Sequence, residues 1–153
     1  MLKIKSLPLL FLLWFAFYIT GCVQVIEKEP LLKALRNDIY YLASDSLEGR
    51  EAGTEGAEKA ASYIAERFKS IGLKPVGEEG YFQYFEFSTT VNPHSLPDEE
   101  DVARLTGRNV VGIIDNPSDT LVVLGAHFDH LGFGSQGALG DNGSIYNGAD
   151  DNA

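Results

Sequence analysis

The amino-acid sequence predicts an α/β fold, a sheet flanked by helices, and three observations carry that expectation. Two stretches in the first half place apolar residues at helical spacing. Three shorter runs in the second half are β-branched or aromatic, as strands tend to be. The last of these runs stops abruptly at an acidic, glycine-rich segment that closes the chain, as a strand does where it meets a loop at a sheet edge. The length of 153 residues, with 44% hydrophobic and 22% charged, suits one globular domain.

The first residues stand apart from that domain. Lys3 and Lys5 precede the apolar run LPLLFLLWFAFYI, and TGC follows, ending at Cys22. A basic region, an apolar core and small residues before a cut make the pattern of a secretory signal peptide, here residues 1–21. The run is shorter than the about 20 apolar residues that a permanent bilayer span needs. Cys22 is the only cysteine, so no disulfide can form within the chain. ITGC resembles the lipobox of bacterial lipoproteins, with Ile19 where leucine is usual. That resemblance implies a lipidated Cys22 as the first mature residue and a linker over 22–30. The protein would then be exported and held at a membrane of the bacterial cell envelope, on its periplasmic or extracellular face. The chain has 12 basic and 22 acidic residues, and cleavage would remove two lysines. Such an excess of acid argues against nucleic acid as a partner, because phosphate attracts the opposite charge.

Within the domain, Leu31, Leu32, Leu35, Ile39 and Leu42 predict an amphipathic helix over 30–44, with Pro30 near its start and its stripe in the core. SDSLEGREAGTEG reads as a polar, glycine-punctuated loop, solvated by default, although Arg50 and Glu51 are candidates to line a cleft. Ala57, Ala60, Ala61, Ile64, Phe68 and Ile71 predict a second helix that ends at Gly72. YFQYFEF, residues 81–87, predicts a strand, and residues 88–107 an irregular connection in which His94 is a solvated loop residue. RNVVGIID and TLVVLGA predict strands buried on both faces. Two helices are too few to cover both faces of a doubly wound sheet. The chain is therefore expected to be the N-terminal part of a larger domain.

The chemistry-bearing side chains crowd together after that last run. His127 follows it directly, which puts the imidazole at the carboxyl end of a strand, where open α/β sheets bind ligands. Asp129 lies two residues on. A tight turn would bring its carboxylate to the second ring nitrogen, which fixes the tautomer of a metal-binding histidine and raises its basicity. Alone, H-x-D also describes a simple hydrogen-bonded turn. NGADDNA adds Asp150 and Asp151, adjacent carboxylates that repel unless a cation or proton intervenes, in a composition that also forms turns. Histidine and carboxylate are the mixed donors of a zinc site, although two ligands do not close one.

LASDSLEGREAGTEGAEKAASYIAERFKSIGL, GRNVVGII, LVVLGAHFDHLG and IYNGADDNA resemble, in that order, the landmarks of the M28 family of zinc-dependent exopeptidases. The resemblance runs from about residue 34 to Ala153. It implies a partial zinc-exopeptidase-like sheet flanked by helices, a truncated α/β/α sandwich, with residues 31–153 as the N-terminal part of the peptidase-like domain. It also implies that His127 binds one zinc, that Asp151 bridges two, and that Asp129 is the catalytic-centre residue that orients His127. Asp150 is then a neighbour, Asn152 stands where the family carries Asp or Asn, and His130 packs the loop. The implied activity is aminopeptidase: release of N-terminal amino acids from peptide substrates by metal-activated water, with two Zn2+ per complete site. The general base, the further acidic ligands and a distal histidine would follow ADDNA, so these residues by themselves are expected to be inactive.

Three rivals were weighed against that expectation. GFGSQG satisfies the dinucleotide fingerprint G-x-G-x-x-G, but the residues after it make a poor helix, and the fingerprint requires one. A peptide- or partner-binding lipoprotein of the same fold without hydrolysis, and a glutaminyl cyclase-like enzyme with a single metal, both remain compatible with the residues present.

Overall fold

The computed structural model describes residues 28–90, 102–134 and 143–151. The N-terminal apolar run, Cys22, His94 and Asn152 lie outside the described residues. The chain divides into two units, Met1–Ala34 and Leu35–Ala153. Among the described residues no helix is long and apolar enough to cross a membrane.

Helix α1 spans Lys28–Leu42, with Glu29 and Pro30 in its first turn. Proline is tolerated there because the first N–H groups have no partner within the helix. The apolar stripe expected in the core is exposed from Leu31 to Ile39, and only Leu42 is buried. Packing on the second helix is concentrated at the C-terminal end of α1. The Tyr41 and Tyr63 rings lie 4.2 Å apart, the Tyr63 hydroxyl donates to Asp38 Oδ1 at 2.5 Å, and Arg67 pairs with Asp38 at 2.8 Å.

The expected polar loop is instead a 3-10 segment, Asp45–Arg50, with Leu47, Gly49 and Arg50 buried. Helix α2 follows over Glu55–Ser70. Thr54 caps it by accepting from the Ala57 amide at 3.4 Å, and Gly72, at φ 83°, follows its end. Ala57, Ala60, Ala61 and Ala65 form its buried face, and Leu42, Leu47 and Ala60 make a small core with Tyr63, Ile64 and Phe128 packed on it. Ile71 was expected on that face but is exposed, since it is the C-cap and lies beyond the last full turn.

The sheets are two antiparallel pairs. Strands β1, Lys74–Pro75, and β4, Gly112–Ile113, pair with each other. Strands β2, Phe82–Thr90, and β3, Val102–Val110, form a hairpin in register from Phe82 opposite Val110 to Thr90 opposite Val102. The irregular connection expected over 88–107 is thus shorter, with strand at both ends. Arg108 fastens the hairpin to α2, pairing with Glu58 at 2.7 Å, donating to Ser62 Oγ at 3.0 Å and lying 4.3 Å from the Phe82 ring centroid.

The expected strand at TLVVLGA is not formed. Leu121, Val122, Val123 and Leu124 are 72–93% exposed in an irregular segment. A strand exists through hydrogen bonds to a neighbour, and among the described residues nothing pairs with this run. The mixed α/β character holds, but the described residues do not assemble a sandwich.

Candidate metal centre

The backbone first brings three distant segments together. Gly49 O accepts from Gly132 N and Arg50 O from His130 N, both at 3.0 Å, and Gly132 O accepts from Tyr146 N at 2.9 Å. This approach needs an unusual backbone. Gly49 sits at φ 70°, and a Cβ there would lie 2.4 Å from Gly132 O, so only glycine fits. Glu48 and Arg50 share the left-handed region at φ 52° and 51°, which side chains rarely adopt.

On that support the sequence-predicted residues meet. His127 Nδ1 lies 3.0 Å from the backbone carbonyl of Asp129 and 3.4 Å from its Oδ1. His127 Nε2 lies 3.3 Å from Asp151 Oδ1, and His130 Nδ1 lies 3.4 Å from Asp151 Oδ2. Asp129 thus approaches Nδ1 more closely with its main-chain carbonyl than with its carboxylate. A carbonyl only accepts, so Nδ1 carries the proton. In the neutral ring, Nε2 then turns a lone pair toward a carboxylate oxygen, a contact that a shared proton or cation makes favourable.

The two alternatives differ in their ideal spacing. A charge-assisted N–H···O bond is about 2.7–2.9 Å long. Two donors on one tetrahedral zinc, each about 2.0–2.2 Å from it, stand about 3.4 Å apart. The observed 3.3 Å between Nε2 and Oδ1 fits the second geometry. These two donors would supply part of a coordination shell. Among the described residues no group of three or more His, Cys, Asp or Glu side chains is arranged to hold a metal ion. The two imidazoles address different oxygens of Asp151 rather than one common point.

Asp150 is exposed beside this cluster. Gly132 and Gly134 take positive φ in a turn, and the rest of GFGSQG lies outside the described residues. A cleft of about 630 Å³, lined largely by apolar groups that include Phe68, Phe85 and Phe128, reaches His127 and Asp129.

Arg50 departs furthest from expectation. The polar sequence around it predicts a solvated loop, but it has no exposed surface. It donates from Nε to Phe128 O at 2.7 Å, from Nη1 to Asn147 O at 2.7 Å and to Leu42 O, and from Nη2 to Gly148 O at 3.3 Å. Burial pushes its pKa below the ordinary value, and the negative charges of Asp129 and Asp151 push it back up. Leu47, an apolar residue inside a polar stretch, was the sequence signal that this loop packs inward.

A family model described as Peptidase family M28 matches residues 109–153, the segment that holds His127, Asp129 and Asp151. The match supports membership of that family and a peptidase at family level. No curated protein and no solved structure matches the chain.

Proposed function

We propose that this chain carries part of the two-zinc centre of an M28-type aminopeptidase. His127 would hold one metal through Nε2 and Asp151 would supply the carboxylate shared with the second, while Asp129 would hold the His127 ring at Nδ1. The single observation that carries this reading is the 3.3 Å approach of His127 Nε2 to Asp151 Oδ1, with Nδ1 already committed to a carbonyl. The match of residues 109–153 to a peptidase family supports it independently. When bound, a metal pair would polarise the scissile carbonyl and lower the pKa of a water. The chain's own residues fix the imidazole's tautomer, present one carboxylate oxygen to each side and keep both on a tied loop. Cleaved export and lipid attachment at Cys22 complete the proposal, which places peptide hydrolysis at the cell envelope.

Zinc analysis tests the ligands. The chain loaded with zinc and dialysed should retain metal, and Asp151→Ala or His127→Ala should lose it. Retention unchanged in both variants would remove the assignment. In the polypeptide that carries the remaining ligands, release of N-terminal amino acids should be abolished by a chelator and restored by zinc. No bound metal, together with retained peptide binding, would favour the non-hydrolytic lipoprotein.

A further inference from the structure

We infer that Arg50 is the positioning residue of this centre: one buried guanidinium holds the two segments that bear His127, Asp129 and Asp151 in the register their contacts require. The inference rests on the metal reading above. Its geometric content is independent of that reading. Phe128, whose carbonyl accepts from Nε, is the residue between His127 and Asp129. Asn147 and Gly148, whose carbonyls accept from Nη1 and Nη2, open the turn that leads to Asp151. The Gly148 carbonyl also accepts from the Asp151 amide at 3.3 Å, so the guanidinium and the ligand residue share one acceptor. A fourth carbonyl, of Leu42 at the end of α1, ties the clamp to the helical core.

Arginine is suited to this task and its usual substitutes are not. A planar guanidinium offers five N–H donors in a fixed fork, enough for four carbonyls in different directions. A lysine ammonium offers three donors from one point, and an apolar side chain would leave buried carbonyls without partners. A structural anchor alone does not call for a buried charge, which is costly to desolvate. Here the charge lies near Asp129 and Asp151, which favour it. The backbone at Arg50 is also held in a conformation unfavourable for a side chain, φ 51°. Strain retained beside a reactive cluster points to a geometry that the cluster needs.

Cobalt titration tests the assignment, because the visible spectrum of bound Co2+ reports coordination geometry rather than turnover. Arg50→Lys keeps a positive charge but cannot reach all four carbonyls. It should weaken cobalt affinity about 10- to 100-fold, the loss typical of removing a group that orients a ligand, and should change the spectrum. Thr54→Ala is the control, removing the cap of α2, whose hydrogen bonds go to Glu51 and Ala57 and not to residues 128 or 147–148. It should lower thermal stability while leaving cobalt affinity and spectrum intact. Should Arg50→Lys not fold, Arg50→Gly relieves the backbone strain, and guanidinium ion at sub-denaturing concentration should restore its cobalt spectrum.

An unaltered affinity and spectrum in Arg50→Lys would overturn the positioning role alone. Equal loss of affinity in Arg50→Lys and Thr54→Ala would overturn it too, by reducing Arg50 to a stabilising residue. Failure of guanidinium to restore Arg50→Gly would count against it in the same way. Absence of cobalt binding in the unsubstituted chain would instead overturn the metal reading, and the positioning role with it.

Discussion

Gly148 sits at φ 58°, and a Cβ added there would lie 2.6 Å from the His130 ring. Gly148→Ala should therefore cost about 1 kcal/mol or more through backbone strain alone. It should also push His130 away from Asp151, so thermal unfolding and cobalt affinity should fall together. Tyr63 makes a prediction of a different kind. Its phenol is desolvated and bonded to Asp38, which pushes its pKa up to about 12. The folded state thus holds this proton more tightly than the unfolded chain. Its contribution is complete below the ordinary tyrosine value near 10 and is lost as pH rises toward 12. Denaturant unfolding of the unsubstituted chain should weaken across that window relative to Tyr63→Phe, and identical pH profiles would refute the linkage. H-x-D was readable in the sequence because its two residues are local neighbours. The share taken by the Asp129 carbonyl was not, because main-chain acceptors are common to every residue.

At the level of elements, the two helices follow from periodicity and caps. Thr54 stands before an acidic first turn, and in the structure it caps α2. Thr54→Ala should destabilise the protein by about 1 kcal/mol, read from denaturant unfolding, with no change in metal binding. The hairpin was only half legible. The aromatic alternation of YFQYFEF marks β2, whereas β3 includes polar residues and a glycine, and its strand character comes from pairing with β2. Phe85 shows how the pair compensates, since its ring covers Gly107 directly opposite and occupies the space a side chain would take. Arg108 then joins this hairpin to α2 through Glu58 and Ser62. Arg108→Met should loosen the hairpin first, seen as faster hydrogen exchange across β2 and β3 than in α2.

Over the whole molecule, the exposed run Leu121–Leu124 is the main conflict between composition and fold. Its residues are β-branched or aliphatic, its backbone has no strand partner among the described residues, and its side chains face solvent. Such a segment invites pairing with another edge. The chain alone should therefore self-associate with rising concentration, and Val122→Asp with Leu124→Asp should suppress the light scattering without altering helical circular dichroism. An equally associating double variant would place the contact elsewhere.

The sequence by itself determined the two helices, the acidic character and the closeness of His127 to Asp129, because periodicity and short spacing are properties of neighbouring residues. Tertiary structure alone decided that LVVLGA is not a strand, since the hydrogen bonds of a strand belong to its neighbour. It also decided that Arg50 leaves a polar loop to become the most buried charge of the described residues. The reason is the same in both cases. Carbonyls at 42, 128, 147 and 148 converge only after the chain has closed long loops, and no local pattern records where such loops meet.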